Sequence, residues 1–163
     1  MKREFSTLDI VKALGIPRER LRDWMNRGFI KPVISAEGQG TKALFDLEDA
    51  YCVALFKNLL DSGFNRTVAA SYATKYVTGN RGTPPDDDKI EYIIFKICTD
   101  FGKKGLHTEY LEEGLNDYKL DLATGDRAGS YEPTRDPTGT WHSIHIVNFG
   151  KIRANVKKAL AKL

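Results

Sequence analysis

Histidine and cysteine are scarce: the 163 residues hold three of the first and two of the second. Cys52 lies in an apolar helical pattern and Cys98 closes an apolar strand pattern, far apart and without a CxxC spacing. Two buried free thiols are expected, in preference to a disulfide or a metal site. His142 and His145 stand three apart in a predicted strand, which places them on opposite faces and argues against a shared ion. There is no phosphate loop, no nucleophile motif and no paired cysteine ligands, so no catalytic residue, cofactor or metal is expected and the chain does not read as an enzyme. Long hydrophobic runs are missing too. No stretch approaches the ~20 apolar residues of a membrane span, and the N-terminus lacks the apolar run of a signal peptide. A cytoplasmic location with no membrane partner is the expectation.

What is present suits a folded protein of one domain or two small ones: 41% of the residues are hydrophobic, enough for a packed core. The net charge of +3 is modest, but it is unevenly placed. Residues 1–80 hold 12 Lys/Arg against 9 Asp/Glu, whereas residues 81–163 hold 13 of each. Within that second part, Lys151, Arg153, Lys157, Lys158 and Lys162 occur in the last stretch with no acid among them. The chain is locally basic at both ends.

Ser6 and Asp9 have the spacing of a capped helix start, and the apolar residues Ile10, Val11 and Leu14 carry the helix to a stop at Gly15. Only Ile16 separates that stop from Pro17, which opens a second short helix running to Arg27 and closed by Gly28. Leu21, Trp24 and Met25 fall on one side of it, while Arg20, Arg22, Asp23, Asn26 and Arg27 spread over the rest. Two short helices joined by a tight turn form a helix-turn-helix, in which the second helix is exposed. Phe29 to Ser35 reads as an extended strand, since Pro32 forbids helix and the β-branched residues favour strand. Gly38 and Gly40 supply a turn and Lys42 to Phe45 returns, giving a β-hairpin wing over 31–45. Asp46 and Asp49 repeat the capping signature and begin a largely apolar, hence buried, helix that ends at Ser62 and Gly63. A fourth helix is capped by Asn65, carries Val68, Tyr72 and Tyr76 on its apolar face and ends near Gly79.

Residues 80–88, with two prolines and an aspartate run, read as a linker. Beyond it the hydrophobic period changes to two. Strands are predicted over Ile90–Cys98, Tyr118–Leu122 and Trp141–Phe149; His107–Glu113 fits either a strand or a turn of helix, and Asp126–Thr140 reads as a long loop. Glu109, Glu112 and Glu113 form an acidic cluster whose ordinary outcome is a solvated face. The chain ends in a helix with Ile152, Val156, Leu160 and Leu163 on one stripe, expected to cover a face of the sheet and to serve dimerisation as well. The fold class is therefore α+β: an N-terminal winged helix-turn-helix of four helices and a hairpin wing (1–79), then a small antiparallel sheet domain with a C-terminal helix (89–163).

The order and spacing of Asp9 to Ile16, Leu21 to Trp24, Arg27 to Pro32, Gly38 to Gly40 and Phe45 to Asp49, leading into a long helix that ends at Gly63, resemble the MerR-like winged helix-turn-helix DNA-binding domain. The resemblance covers about residues 5–78. It implies sequence-specific binding of double-stranded DNA, with Arg22 on the face meeting DNA, Arg18 placed for a base edge or a phosphate, and Trp24 at the aromatic position. The candidate DNA-binding residues are Arg18, Arg20, Arg22, Asn26, Arg27, Lys31, Thr41 and Lys42. Arginine suits this task because it bonds guanine through two hydrogen bonds or clamps a phosphate.

Three features depart from the family pattern. Asp23 stands where an aromatic is usual beside the arginine, Ala43 stands where the wing commonly has an arginine, and strands follow the domain in place of a long dimerisation helix. The expectation is a transcriptional regulator acting as a homodimer, its second domain supplying dimerisation, sensing of a small-molecule effector or a protein contact. The rival readings are an architectural component of a recombination or packaging machine, and an interaction module or small enzyme whose active part is the β domain.

Overall fold

The Ser6 hydroxyl accepts a hydrogen bond from the Asp9 N–H at 3.3 Å, and the Asp9 carboxylate accepts the Ser6 N–H at 2.8 Å. This reciprocal box satisfies donors that helix α1 (Thr7–Leu14) would otherwise leave open. Gly15 then takes a left-handed conformation, φ 60°, and the Ile16 N–H bonds back to the Val11 carbonyl. Helix α2 (Arg18–Asn26) follows at once. Pro17 is extended and caps it from outside, one position earlier than the first helical place expected, with its carbonyl accepting from Arg20 and Leu21.

The computed structural model describes residues 4–35, 42–78, 92–100, 103–111 and 141–163. Among them are five helices and two small antiparallel sheets, divided between two compact units. One unit is Met1–Asp87 together with Lys151–Leu163; the other is Asp88–Gly150. No described helix is long and apolar enough to cross a membrane, and no cluster of metal-ligating side chains occurs among the described residues.

In the first unit, the two-residue strand β1 (Phe5–Ser6) pairs with β2 (Leu44–Phe45), Phe5 opposite Phe45. The Asp46 and Asp49 pair forms a second capping box at the start of α3 (Leu47–Asp61). Ala50, Tyr51, Cys52, Val53, Leu55, Phe56 and Leu59 of α3 are buried, so this helix is the centre of the core as its all-round apolarity predicts. Burial pushes the Cys52 thiol up to about 12 against an opposing hydrogen bond with Thr74, so the free thiol expected there is held neutral. Helix α4 (Arg66–Thr78) is capped by the Asn65 side chain, as expected, but it turns a different face inward. Ala69, Ala73, Tyr76 and Val77 are buried, while Val68 and Tyr72 lie at the edge. Small alanines permit close approach of α4 to α3, an advantage that apolar spacing alone does not reveal.

The second unit holds β3 (Tyr92–Asp100), β4 (Lys103–Leu111) and β5 (Trp141–Asn148) in the order β4-β3-β5, all antiparallel. The segment around His107 is therefore strand. Ile93, Ile94 and Phe95 are consecutively buried, so both faces of the central strand are covered there. Opposite Ile97 and Cys98 the register slips from Ser143 to Trp141, which leaves His142 as a bulge in the backbone of β5. The linker at 80–88, the strand predicted at Tyr118–Leu122 and the loop at Asp126–Thr140 lie outside the described residues.

Helix α5 (Phe149–Leu160) begins where β5 ends. Its buried stripe is Phe149, Arg153, Val156 and Leu160, rotated from the predicted one: Ile152 lies at the edge and Leu163 is exposed. Lys151–Leu163 groups with Met1–Asp87, whereas the sequence pattern assigns this helix to the sheet domain.

Candidate nucleic-acid interface

The exposed helix α2 is held from its C-terminal end. Arg27 caps it, Gly28 takes φ 73°, the Gly28 N–H bonds the Met25 carbonyl and the Phe29 N–H bonds the Trp24 carbonyl, both at 2.9 Å. This double closure reverses the chain. It swings Phe29 back onto Phe56 of α3, stacked with ring centroids 6.0 Å apart, while Trp24 meets the same Phe56 edge-on at 4.9 Å. Trp24 and Leu21 are fully buried. The aromatic of α2 is thus an anchor, and its position fixes the direction in which the other side chains project.

Those side chains divide into two flanks. At 100° per residue Arg18, Arg22 and Asn26 fall in one row with four-residue spacing, and all three are exposed. Among the described residues neither arginine has an ion-pair partner. On the other flank, the Arg20 guanidinium lies 5.2 Å above the Trp24 ring, and the Arg27 Nε donates to Asp23 Oδ1 at 2.6 Å. Both groups on that flank are spoken for, one by a ring face and one by a carboxylate. The spacing of α2 makes about 12 Å from Arg18 to Asn26, so the free row spans a length comparable to the width of a B-DNA major groove, about 12 Å.

Of the hairpin expected over 31–45, the described residues hold one antiparallel bridge: Ile34 and Leu44 exchange both backbone hydrogen bonds, at 3.1 and 3.0 Å. The longer strand expected from Phe29 does not form, because the closure at Gly28 stacks the half-buried Phe29 on Phe56 and buries Ile30. Lys31 and Lys42 are exposed at the two arms, and Thr41 lies outside the described residues, as does the turn. Ala43 is buried, so the arm alternates and Lys42 carries its outward charge.

One residue that sequence reasoning saw in a single role has two. The Asp49 carboxylate completes the α3 capping box and also accepts the Val33 N–H at 2.7 Å, joining the first arm of the hairpin to the core helix. Half-burial raises its pKa from the usual carboxylate value; the hydrogen bonds from the Asp46 and Val33 N–H groups pull downward, and nearby Asp46 and Glu48 add to the rise. The capping spacing signalled the first role, whereas the second joins residues sixteen apart and has no local signal.

Residues 5–74 match the family model described as MerR HTH family regulatory protein, which makes this part of the chain a MerR-type helix-turn-helix domain. No curated protein matches the chain.

Proposed function

We propose that this MerR-type helix-turn-helix domain binds double-stranded DNA with sequence specificity and that the protein is a transcriptional regulator acting as a homodimer. Helix α2 lies in the major groove and the 31–45 hairpin follows the backbone as a wing. The observation that carries this reading is the division of α2. Trp24 and Leu21 are buried against the core, leaving Arg18, Arg22 and Asn26 in an exposed row at four-residue spacing. Arg18 and Arg22 have the planar donor fork that reads guanine or grips phosphate, and Asn26 has the paired donor and acceptor that match adenine. Arg20, Lys31, Thr41 and Lys42 contribute charge or hydrogen bonds to the backbone around that row, and Arg27 joins them where its pair with Asp23 opens. A single domain of this size covers a short half-site, so two copies on a two-fold site are the arrangement that gives useful specificity. Selection of bound sequences from random DNA tests the proposal. An inverted repeat supports it, and recovery of no sequence preference contradicts it.

An architectural role in recombination or packaging is the second reading. It is favoured by the three strands β3, β4 and β5, which follow the domain where a long dimerisation helix is usual. Footprints beside promoters support the regulator, and footprints at recombination or packaging sites support the architectural component.

A further inference from the structure

The buried stripe of α5, namely Phe149, Arg153, Val156 and Leu160, has a counterpart on the opposite side. Lys151, Asn155, Lys158 and Lys162 recur with the same spacing, the last in the turn that continues the helix, and all four are exposed. The stretch from Trp141 to Leu163 contains no Asp or Glu. Lys158 and Lys162, four residues apart, are like charges side by side, and a polyanion relieves their repulsion.

The grouping of this helix gives the row its context. Met1–Asp87 with Lys151–Leu163 carries 18 Lys/Arg against 11 Asp/Glu, whereas Asp88–Gly150 carries 7 against 11. The two compact units therefore have opposite net charge, and the basic terminal helix belongs to the unit that holds α2.

We infer that the lysine face of α5 is a second DNA contact, directed at phosphates and indifferent to sequence. The inference rests on the DNA-binding reading of α2. Lysine suits the role, being a point charge on a flexible stem that meets phosphate without reading base edges.

The test uses the full-length protein, a short duplex carrying the selected sequence and one of mixed sequence, and the triple variant K151A/K158A/K162A beside K151R/K158R/K162R. Alanine is well tolerated in exposed helix, and a melting curve checks that the fold persists. The alanine variant is expected to weaken binding to both duplexes by the same factor, about tenfold or more at low salt, and to flatten the dependence of log affinity on log salt by about 0.9 for each phosphate it no longer neutralises. The arginine variant is expected to match the parent. Unchanged affinity and salt slope in the alanine variant, with Arg22→Ala still impaired, overturns the α5 contact alone. A loss confined to the selected sequence also overturns it, since the helix then reads bases. Failure of the parent protein to bind either duplex overturns the reading of α2 and the α5 contact together.

Discussion

Asp23 and Arg27 form an i,i+4 ion pair on the exposed side of α2, with the Arg27 Nε 2.6 Å from Asp23 Oδ1. The acid lies N-terminal to the base, the favoured order on a helix. In the sequence Asp23 is the residue least compatible with a phosphate-facing helix. The pair shows how it is accommodated: the carboxylate is neutralised within its own helix, by Arg27 one turn on.

Removing this carboxylate should therefore strengthen general DNA affinity. Asp23→Ala releases Arg27 and removes a charge that repels phosphate, so binding to mixed-sequence DNA should rise several-fold, with the log-log salt slope steeper by about one. Stability should change by no more than about 0.5 kcal/mol, because the pair is exposed. Fluorescence anisotropy across a salt series measures the first two effects and thermal melting the third. A weakened affinity for a selected site would instead place Asp23 on a base.

Phe56 supports α2 through two rings at once, Trp24 edge-on and Phe29 stacked. Phe56→Ala should cost about 3–5 kcal/mol of stability, the usual range for a buried phenylalanine. DNA affinity should fall with it even at temperatures where the variant is folded, since α2 loses its seat. Chemical denaturation and a binding curve on the same preparation check both. A stable variant with normal binding would show that the aromatic cluster does not position the helix.

The parts of this fold that were legible in the sequence are those specified by residues close together. Ser6 with Asp9, Asp46 with Asp49, and Asn65 before Val68 announce three helix starts, and each makes the hydrogen bonds its spacing requires. What was not legible depends on distant partners. Phe5 and Ser6 are too short a stretch to show a period, so β1 appears only once Leu44 and Phe45 are beside it. The strand expected from Phe29 lost to the closure at Gly28, where stacking an aromatic on Phe56 outweighs β-propensity. In α4 the alanines face the core because close packing selects small residues as well as apolar ones. The basic row of α2 was visible by composition, but its division into a free flank and a self-paired flank needed the positions of Trp24 and Asp23.

Asp49 gives the first unit a pH dependence of definite sign. Its pKa is raised in the folded chain above the ordinary 3.8, so folded protein holds the proton more tightly than unfolded protein does. Its contribution to stability accordingly grows as pH falls through the raised folded value toward 3.8, and diminishes as pH rises through the same window. Asp49→Asn keeps an acceptor for the Val33 and Asp46 N–H groups and should remove this slope. Asp49→Ala loses the capping box and the hairpin tie together and should cost about 2 kcal/mol at neutral pH. Chemical denaturation of the three proteins over a pH series checks the sign. A parent that gains stability relative to Asp49→Asn as pH rises through the window would contradict it.

The most direct test of α2 as the reading helix is the change in selected DNA sequence when Arg22 is replaced. The parent protein, Arg22→Ala and Arg18→Ala are each taken through selection from random duplex DNA, with melting curves to establish that the exposed substitutions leave the fold intact. Loss of one bidentate base contact costs about 1–3 kcal/mol. The expected result is a relaxed preference at a defined base position for Arg22→Ala, repeated in both half-sites, with Arg18→Ala relaxing a neighbouring position or weakening all sequences evenly. Selection profiles and affinities identical to the parent's in both variants, across salt concentrations, would contradict it.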